Sequence, residues 1–103
     1  STAVDYGINT ITIVMNNKSW GAEKAYQKDF FGKRYLGADI SSPQFDKVAE
    51  LYGAKGFKVN KISEVNEAVK AALKCNKPAV IDVDVDPKAL YSFRRDSFKH
   101  KIK

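Results

Sequence analysis

Stretches typical of β-strands alternate along this chain with stretches that have the apolar periodicity of helices. Residues 10–15, 56–59 and 79–85 have the composition of strands, and the last of these has the character of a central strand. Alternation of this kind favours a mostly parallel sheet with helices on both faces. The sequence therefore predicts a three-layer α/β/α fold, and its 103 residues fit a single domain.

Two amphipathic helices have clear start and stop signals. Ser42 and Pro43 suit the N-cap and the first position of one helix, which Gly53 is expected to end in a left-handed conformation. Ser63 is expected to cap the other helix, which ends near Asn76.

A long polar and aromatic connection, residues 16–41, separates the first strand from these two helices. Part of it, around residues 22–29, has a helical pattern. Because connections of this length inside a compact domain are usually functional, we expect a binding role for this segment.

Most of the excess positive charge lies at the C-terminal end. Residues 88–103 carry six basic side chains against one aspartate, whereas the remaining 87 residues carry 12 basic and 11 acidic side chains. Such a basic tail can contact nucleic-acid phosphates or remain a solvated terminus. No helix-turn-helix, zinc or RNA-binding motif accompanies it, so nucleic acid is not the expected partner.

Other function classes are excluded by simple counts. A single cysteine, Cys75, excludes an intramolecular disulfide and a cysteine-based metal cluster, and it is consistent with a reducing compartment. No apolar run approaches the roughly 18 residues that a membrane helix needs, and no signal-peptide pattern opens the chain. We therefore expect a cytoplasmic location and no membrane partner.

The only histidine, His100, has no neighbouring nucleophile pattern and is expected on the surface.

Three aspartates alternate along the last strand. Asp82, Asp84 and Asp86 fall on one side of it, opposite its apolar residues. They form a candidate metal cluster, but alternate strand positions are about 7 Å apart, which is too wide for a single ion. The sequence therefore favours a solvated or edge-facing row of carboxylates.

The first strand ends in two carboxamides, Asn16 and Asn17. The carboxyl edge of an open α/β sheet is where ligands bind, and carboxamide oxygens there suit a hard cation such as Mg²⁺. The alternative is an asparagine-rich turn, because asparagine tolerates the left-handed conformation and binds its own backbone.

The segment that begins at Asn16 (NNKSWGAEK) resembles the end of the cofactor-binding motif of thiamine-diphosphate-dependent enzymes. A longer resemblance is to the sulfoacetaldehyde acetyltransferase branch, which is related to acetolactate synthases. It is carried by the sequences WGAEK, FGKRYLGAD, AKGFKV, KPAVIDV and SFRRD, which cover nearly the whole chain in order. Residues 1–8 resemble the end of the helix that joins the two halves of the motif.

The resemblance implies a set of cofactor ligands. The Asn17 side chain and the Ser19 carbonyl would hold the divalent metal that binds the cofactor diphosphate, with Trp20 and Gly21 completing the cofactor site. Trp20 and Tyr35 are expected either to stack on the cofactor or to fill the core. The other half of the family motif, Gly-Asp-Gly, does not occur in these 103 residues.

The missing half-site implies a C-terminal portion of a cofactor-binding domain. We therefore expect thiamine diphosphate and Mg²⁺ to bind weakly or not at all to this chain alone, and we assign no catalytic residue. If binding proves tight, Asp39 is the first candidate for a replacement acidic ligand. Arg34, Arg94 and Arg95 are candidates for holding an anionic substrate, since arginine matches sulfonate and phosphate geometry; surface solubility is the competing explanation.

These observations support three alternative functions. The first is a fragment of a transferase that, in the branch it resembles, converts sulfoacetaldehyde and phosphate to acetyl phosphate and sulfite. The second is a non-catalytic assembly or binding module, and the third a basic-tailed nucleic-acid binder.

The apolar first strand and the aromatic residues Phe30, Phe31 and Tyr35 are expected to be exposed, which favours a homo-oligomer with a dimer as the default.

Overall fold

The computed structural model describes residues 1–88, apart from the Tyr26 side chain. Arg94, Arg95, His100 and nearly all of the basic tail lie outside the described residues. The described chain comprises two compact units. The first contains Ser1–Asn16 and Ser42–Val85, and the second contains Asn17–Ser41 with residues 86–88.

A parallel sheet of three strands organises the first unit. Its strands are β1 (Ile11–Asn16), β2 (Lys55–Val59) and β3 (Ala79–Asp84), and β3 lies between the other two. In register, Ile81 of β3 faces Ile13 of β1 and Phe57 of β2. The predicted α/β class, the parallel pairing and the central place of the last strand are confirmed.

Within residues 1–88, four α-helices and one 3₁₀ helix accompany the strands. They are α1 (Thr2–Asp5), α2 (Gly21–Phe30), α3 (Phe45–Leu51), the 3₁₀ helix (Ile62–Glu64) and α4 (Val65–Lys74). Helix α2 belongs to the second unit and the others to the first. None of the helices in the described part of the chain is long and apolar enough to cross a membrane.

Helices α4 and α3 cover opposite faces of the sheet. On one face, Ile81 and Val83 of β3 form a core with Val59 and with Ala72 of α4. On the other face, α3 lies directly on β2. The two elements are so close that a Cβ atom placed on Gly56 would be only 2.9 Å from the Cα of Asp46. The absence of a side chain at Gly56 therefore allows the helix to approach the strand.

The predicted starts of both amphipathic helices are wrong. Helix α3 begins at Phe45, after Gln44, and neither Ser42 nor Pro43 belongs to it. Its first N–H is bound by a residue distant in the chain: Phe45 N–H donates to Oδ2 of Asp82 at 3.1 Å. Ser63 lies inside the 3₁₀ helix and caps nothing with its side chain.

The predicted helix ends are confirmed. Gly53 follows α3 with φ +85°, and Asn76 follows the Cys75 cap of α4 with φ +52°. Both residues are types that accept the left-handed region at little cost, and both therefore stop a helix where the sequence places them.

The expectation of a solvated aspartate row is wrong for Asp82, whose exposed fraction is 0%. Its carboxylate accepts hydrogen bonds from the Asn16 carboxamide of β1 at 3.3 Å and the Lys58 ammonium of β2 at 3.3 Å, besides the Phe45 N–H. One carboxylate thus joins three strands and α3. Burial is tolerated because each oxygen has a donor and one donor is a cation.

Candidate functional site

A tight turn follows β1. In this turn, which we call the Asn17 turn (residues 17–19), the Asn17 side-chain Oδ1 accepts a hydrogen bond from Ser19 N–H at 3.1 Å. Lys18 between them has φ +57°. A carboxamide that binds the backbone two residues onward is the usual asparagine turn, and it holds Lys18 in a conformation that most residues avoid.

The Asn17 turn is held against a second segment of the same unit. Ser19 pairs with Asp39 in an antiparallel bridge. The flanking bonds run from Trp20 N–H to the Ala38 carbonyl at 2.6 Å and from Ile40 N–H to the Lys18 carbonyl at 3.0 Å.

This hydrogen-bond pattern also orients the Ser19 carbonyl. In an antiparallel pair flanked by such bonds, the N–H and C=O of the central residue point together, away from its partner. Since the Ser19 N–H reaches Asn17 Oδ1, the Ser19 carbonyl lies on the same side as the Asn17 carboxamide. The two oxygens that the sequence proposes as ligands therefore share one side of the turn.

Gly21 leaves the space that the Asn17 carboxamide needs. A Cβ atom on Gly21 would lie 2.7 Å from the Asn17 Nδ2 atom. Any side chain at this first position of α2 would therefore push the carboxamide away. The structure thus brings Asn17, Ser19 and Gly21 together.

The residues present fit a hard cation on two counts. The donor set consists of a carboxamide oxygen and a main-chain carbonyl oxygen, which are the ligand types that Mg²⁺ accepts in proteins. In addition, the Ser19 hydroxyl oxygen is buried and has no hydrogen-bond partner among the described residues. An unpaired buried hydroxyl calls for an explanation, and a ligand or its water shell at this turn is one.

Helix α2 carries side chains that fix the segment after it. The Lys24 ammonium lies 2.6 Å from the Asp39 carboxylate and 5.2 Å from the centre of the Tyr35 ring. The Gln27 carboxamide donates to the Leu36 carbonyl and accepts from the Leu36 N–H, both at 3.1 Å. These contacts were not foreseen, since charged and amide side chains on a polar helix are usually solvated.

The remaining predicted residues have simpler environments. Trp20, the N-cap of α2, is 60% exposed, and Tyr35 is exposed as well, so the alternative that these rings fill the core is wrong. Arg34 is exposed, and its guanidinium makes no hydrogen bond or ion pair within residues 1–88. Arg94 and Arg95 lie outside the described residues.

A carboxylate metal cluster is absent from the described part of the chain. No group of three or more His, Cys, Asp or Glu residues there is placed to hold a metal ion. Asp82 and Asp84 instead share the Lys58 ammonium, which lies 3.3 Å from the former and 2.8 Å from the latter. Asp39, the proposed replacement ligand, is paired with Lys24.

Comparison with known proteins gives consistent relatives. Residues 1–83 match the family model described as thiamine pyrophosphate enzyme, C-terminal TPP binding domain. The chain is 33% identical over 92 residues to a probable acetolactate synthase large subunit of Methanococcus aeolicus, covering 88% of this chain and 15% of that protein. It is 32% identical over 106 residues to a sulfoacetaldehyde acetyltransferase of Alcaligenes xylosoxydans xylosoxydans, covering 99% and 18%.

A solved structure agrees with these sequence relatives. The thiamine diphosphate-dependent 4-hydroxybenzoylformate decarboxylase of Rhodococcus jostii RHA1 aligns with a TM-score of 0.73 and 29% identity, over 82% of this chain and 16% of that one. The chain therefore spans less than a fifth of the length of these relatives. With the family model matching most of its residues, the chain belongs to the thiamine pyrophosphate enzymes, in their C-terminal TPP-binding domain.

Proposed function

We propose that this chain is the C-terminal part of the diphosphate-binding domain of a thiamine-diphosphate-dependent transferase. In this proposal Asn17 Oδ1 and the Ser19 carbonyl are two ligands of a Mg²⁺ ion that binds the cofactor diphosphate. The observation that carries it is the Asn17 turn itself, in which both oxygens face one side and Gly21 leaves room for the carboxamide.

The residues of the Asn17 turn and of the start of α2 have separate roles in this proposal. Asn17 and Ser19 supply neutral oxygens, so the metal keeps its positive charge for the diphosphate. Gly21 begins α2, and the free N–H groups of the first helical turn favour a negatively charged group nearby. Trp20, exposed beside them, offers an aromatic face to the cofactor.

When bound, thiamine diphosphate supplies a nucleophilic thiazolium carbon for attack on a carbonyl carbon, and the protein supplies binding and orientation. The similarity to the sulfoacetaldehyde acetyltransferase of Alcaligenes xylosoxydans xylosoxydans, which covers 99% of this chain, supports sulfoacetaldehyde as substrate. With phosphate as the second substrate, the products would be acetyl phosphate and sulfite. Arg34 is our candidate among residues 1–88 for binding an anionic group of the substrate.

The chain by itself is proposed to be inactive. It contains no Gly-Asp-Gly sequence, so the acidic half of the family's metal site is not present in these 103 residues. Two neutral ligands leave most of the octahedral positions of Mg²⁺ to water, which implies weak binding.

Paramagnetic Mn²⁺ tests the proposed ligands at this low affinity. When Mn²⁺ is added to the ¹⁵N-labelled chain, the Asn17 side-chain signals and the amide signals of Ser19 and Gly21 should broaden before others. Excess Mg²⁺ should reverse the broadening. Thiamine diphosphate added with Mg²⁺ should shift the same signals with a Kd of about 1 mM or weaker.

Two variants make this titration specific. Asn17→Ala should abolish the broadening at Ser19 and Gly21. Asn66→Ala, which removes an exposed carboxamide from α4, should leave it unchanged. Broadening that survives in Asn17→Ala, or that is confined to the backbone amides of aspartate and glutamate residues elsewhere, would contradict the proposed site.

A further inference from the structure

The ion pair between Lys24 and Asp39 has an unusual position for a surface pair. The Lys24 side chain is only 17% exposed, whereas that of Asp39 is 72% exposed. Lys24 is further restrained by Tyr35, whose ring lies 5.2 Å from the ammonium. A lysine held in this way loses little additional rotamer freedom when it binds Asp39, so less entropy opposes this pair than opposes a freely moving surface pair.

Asp39 is also the residue that pairs with Ser19. The two residues face each other in the antiparallel bridge, and the bonds at Ala38 and Ile40 enclose residues 18–20. This bridge consists of a single residue pair, and an isolated pairing of this size is not stable by itself. Other contacts must therefore help to hold the Asp39 segment against the Asn17 turn. From α2, Gln27 binds the main chain of Leu36, and Lys24 binds Asp39 itself.

We propose that Lys24 and Asp39 are positioning residues of the site: their ion pair holds the Asp39 segment against residues 18–20 and thereby fixes the Asn17 turn that carries the two metal ligands. This inference rests on the proposed function of Asn17 and Ser19. It gives Asp39 a role other than metal binding, in which its Oδ1 atom accepts a hydrogen bond from the Lys24 ammonium at 2.6 Å.

Amide hydrogen exchange in the full 103-residue chain tests the conformational step without any metal. Lys24→Gln and Asp39→Asn should each increase exchange at Ser19, Trp20 and Ile40, whose N–H groups bond within the turn and the bridge, by about threefold. Glu50→Gln, which removes a charge from the exposed pair between Lys47 and Glu50, is the matched control and should change none of these rates.

The same variants, titrated with Mn²⁺, test the positioning step. Broadening at the Asn17 side chain should fall in Lys24→Gln and in Asp39→Asn alike. If Asp39 instead binds the metal directly, Lys24→Gln frees its carboxylate, and the broadening should increase in that variant. The two explanations therefore predict opposite signs for Lys24→Gln.

Exchanging the two charges provides a rescue. The double variant Lys24→Asp with Asp39→Lys keeps an ion pair between the same positions, and it should restore both the slow exchange and the Mn²⁺ broadening relative to the single variants. A merely structural need for a lysine at position 24 predicts no rescue.

The outcomes separate this inference from the proposed function. Unchanged exchange in both single variants, or unchanged Mn²⁺ broadening despite faster exchange, overturns the positioning role while Asn17 remains a ligand. Wild-type protein that shows no Mn²⁺ broadening at Asn17 overturns the proposed metal site itself, and the positioning role falls with it.

Discussion

The main-chain N–H of Phe45 donates to the Asp82 carboxylate at 3.1 Å, so the central strand supplies the cap of α3. Asp82→Ala would leave this N–H, the Asn16 carboxamide and the Lys58 ammonium without their common acceptor. We expect the free energy of unfolding to fall by about 3 kcal/mol, because removing one partner of a buried charge network is costly. Urea unfolding of the purified variant measures this loss.

Asp84→Ala is the matched control for that loss. Asp84 also binds Lys58, but its side chain is 35% exposed and water can replace it. We expect a loss of less than about 1 kcal/mol. Equal losses for the two variants would show that the burial of Asp82 does not increase its contribution to the free energy of unfolding.

Lys58 should make the stability pH-dependent in the alkaline range. Its hydrogen bond to Asp84 raises the pKa of Lys58 above the ordinary value of 10.5; partial burial opposes this shift and Asp82 adds to it. A group whose pKa rises on folding stabilises the fold fully below its unfolded pKa, and this contribution is lost as the pH rises through the folded pKa. The difference in unfolding free energy between wild type and Lys58→Met should therefore be constant around neutral pH, where Asp82 and Asp84 can pair with Lys58 as carboxylates, and shrink above pH 10.5. A difference that stays constant throughout would contradict the cause given for the shift.

Gly21→Ala should separate binding from stability. The added Cβ meets the end of the Asn17 side chain, which can rotate away, and alanine is a better helix former than glycine. We expect the unfolding free energy to stay within about 0.5 kcal/mol of wild type, whereas Mn²⁺ broadening at Ser19 falls. Ala22→Ser, at the next and exposed position, is the control and should leave the broadening unchanged.

The isolated chain should show no carboligase, decarboxylase or acetyltransferase turnover with Mg²⁺ and thiamine diphosphate. The reason is the missing Gly-Asp-Gly half-site. Product formation above a no-protein control, if Asn17→Ala abolishes it, would mean that these 103 residues hold a complete site.

Assembly through β1 is the last expectation. Among the described strands, β1 pairs only with β3, and its Met15 side chain is 66% exposed. An open apolar edge favours association with a second copy, so we expect a dimer in sedimentation equilibrium at micromolar concentration. Met15→Lys should yield a monomer, whereas Ile62→Lys, at a more exposed site outside the sheet, should not. A wild-type monomer whose β1 amides resist exchange would show that the chain covers its own core.

The sequence predicted the strands, the central place of β3 and the two helix ends, because these depend on local pattern and on Gly53 and Asn76. It failed where a partner is distant in the chain. Nothing near Phe45 indicates that its cap comes from Asp82, and alternation along β3 shows which residues share a face but not whether a helix covers that face. In the site, the asparagine pair located the turn, whereas the contacts of Lys24 and Gln27 depend on how the segment after α2 folds back.

The two hydrogen bonds between Gln27 and Leu36 have an evolutionary consequence. The carboxamide binds only main-chain atoms of Leu36, and the leucine side chain is 86% exposed. Position 36 should therefore accept almost any amino acid in related proteins except proline, which has no N–H to donate. Position 27 has no such freedom, because only a side chain with both a donor and an acceptor at that reach makes both bonds. Homologues should accordingly have many different amino acids at position 36 and few at position 27.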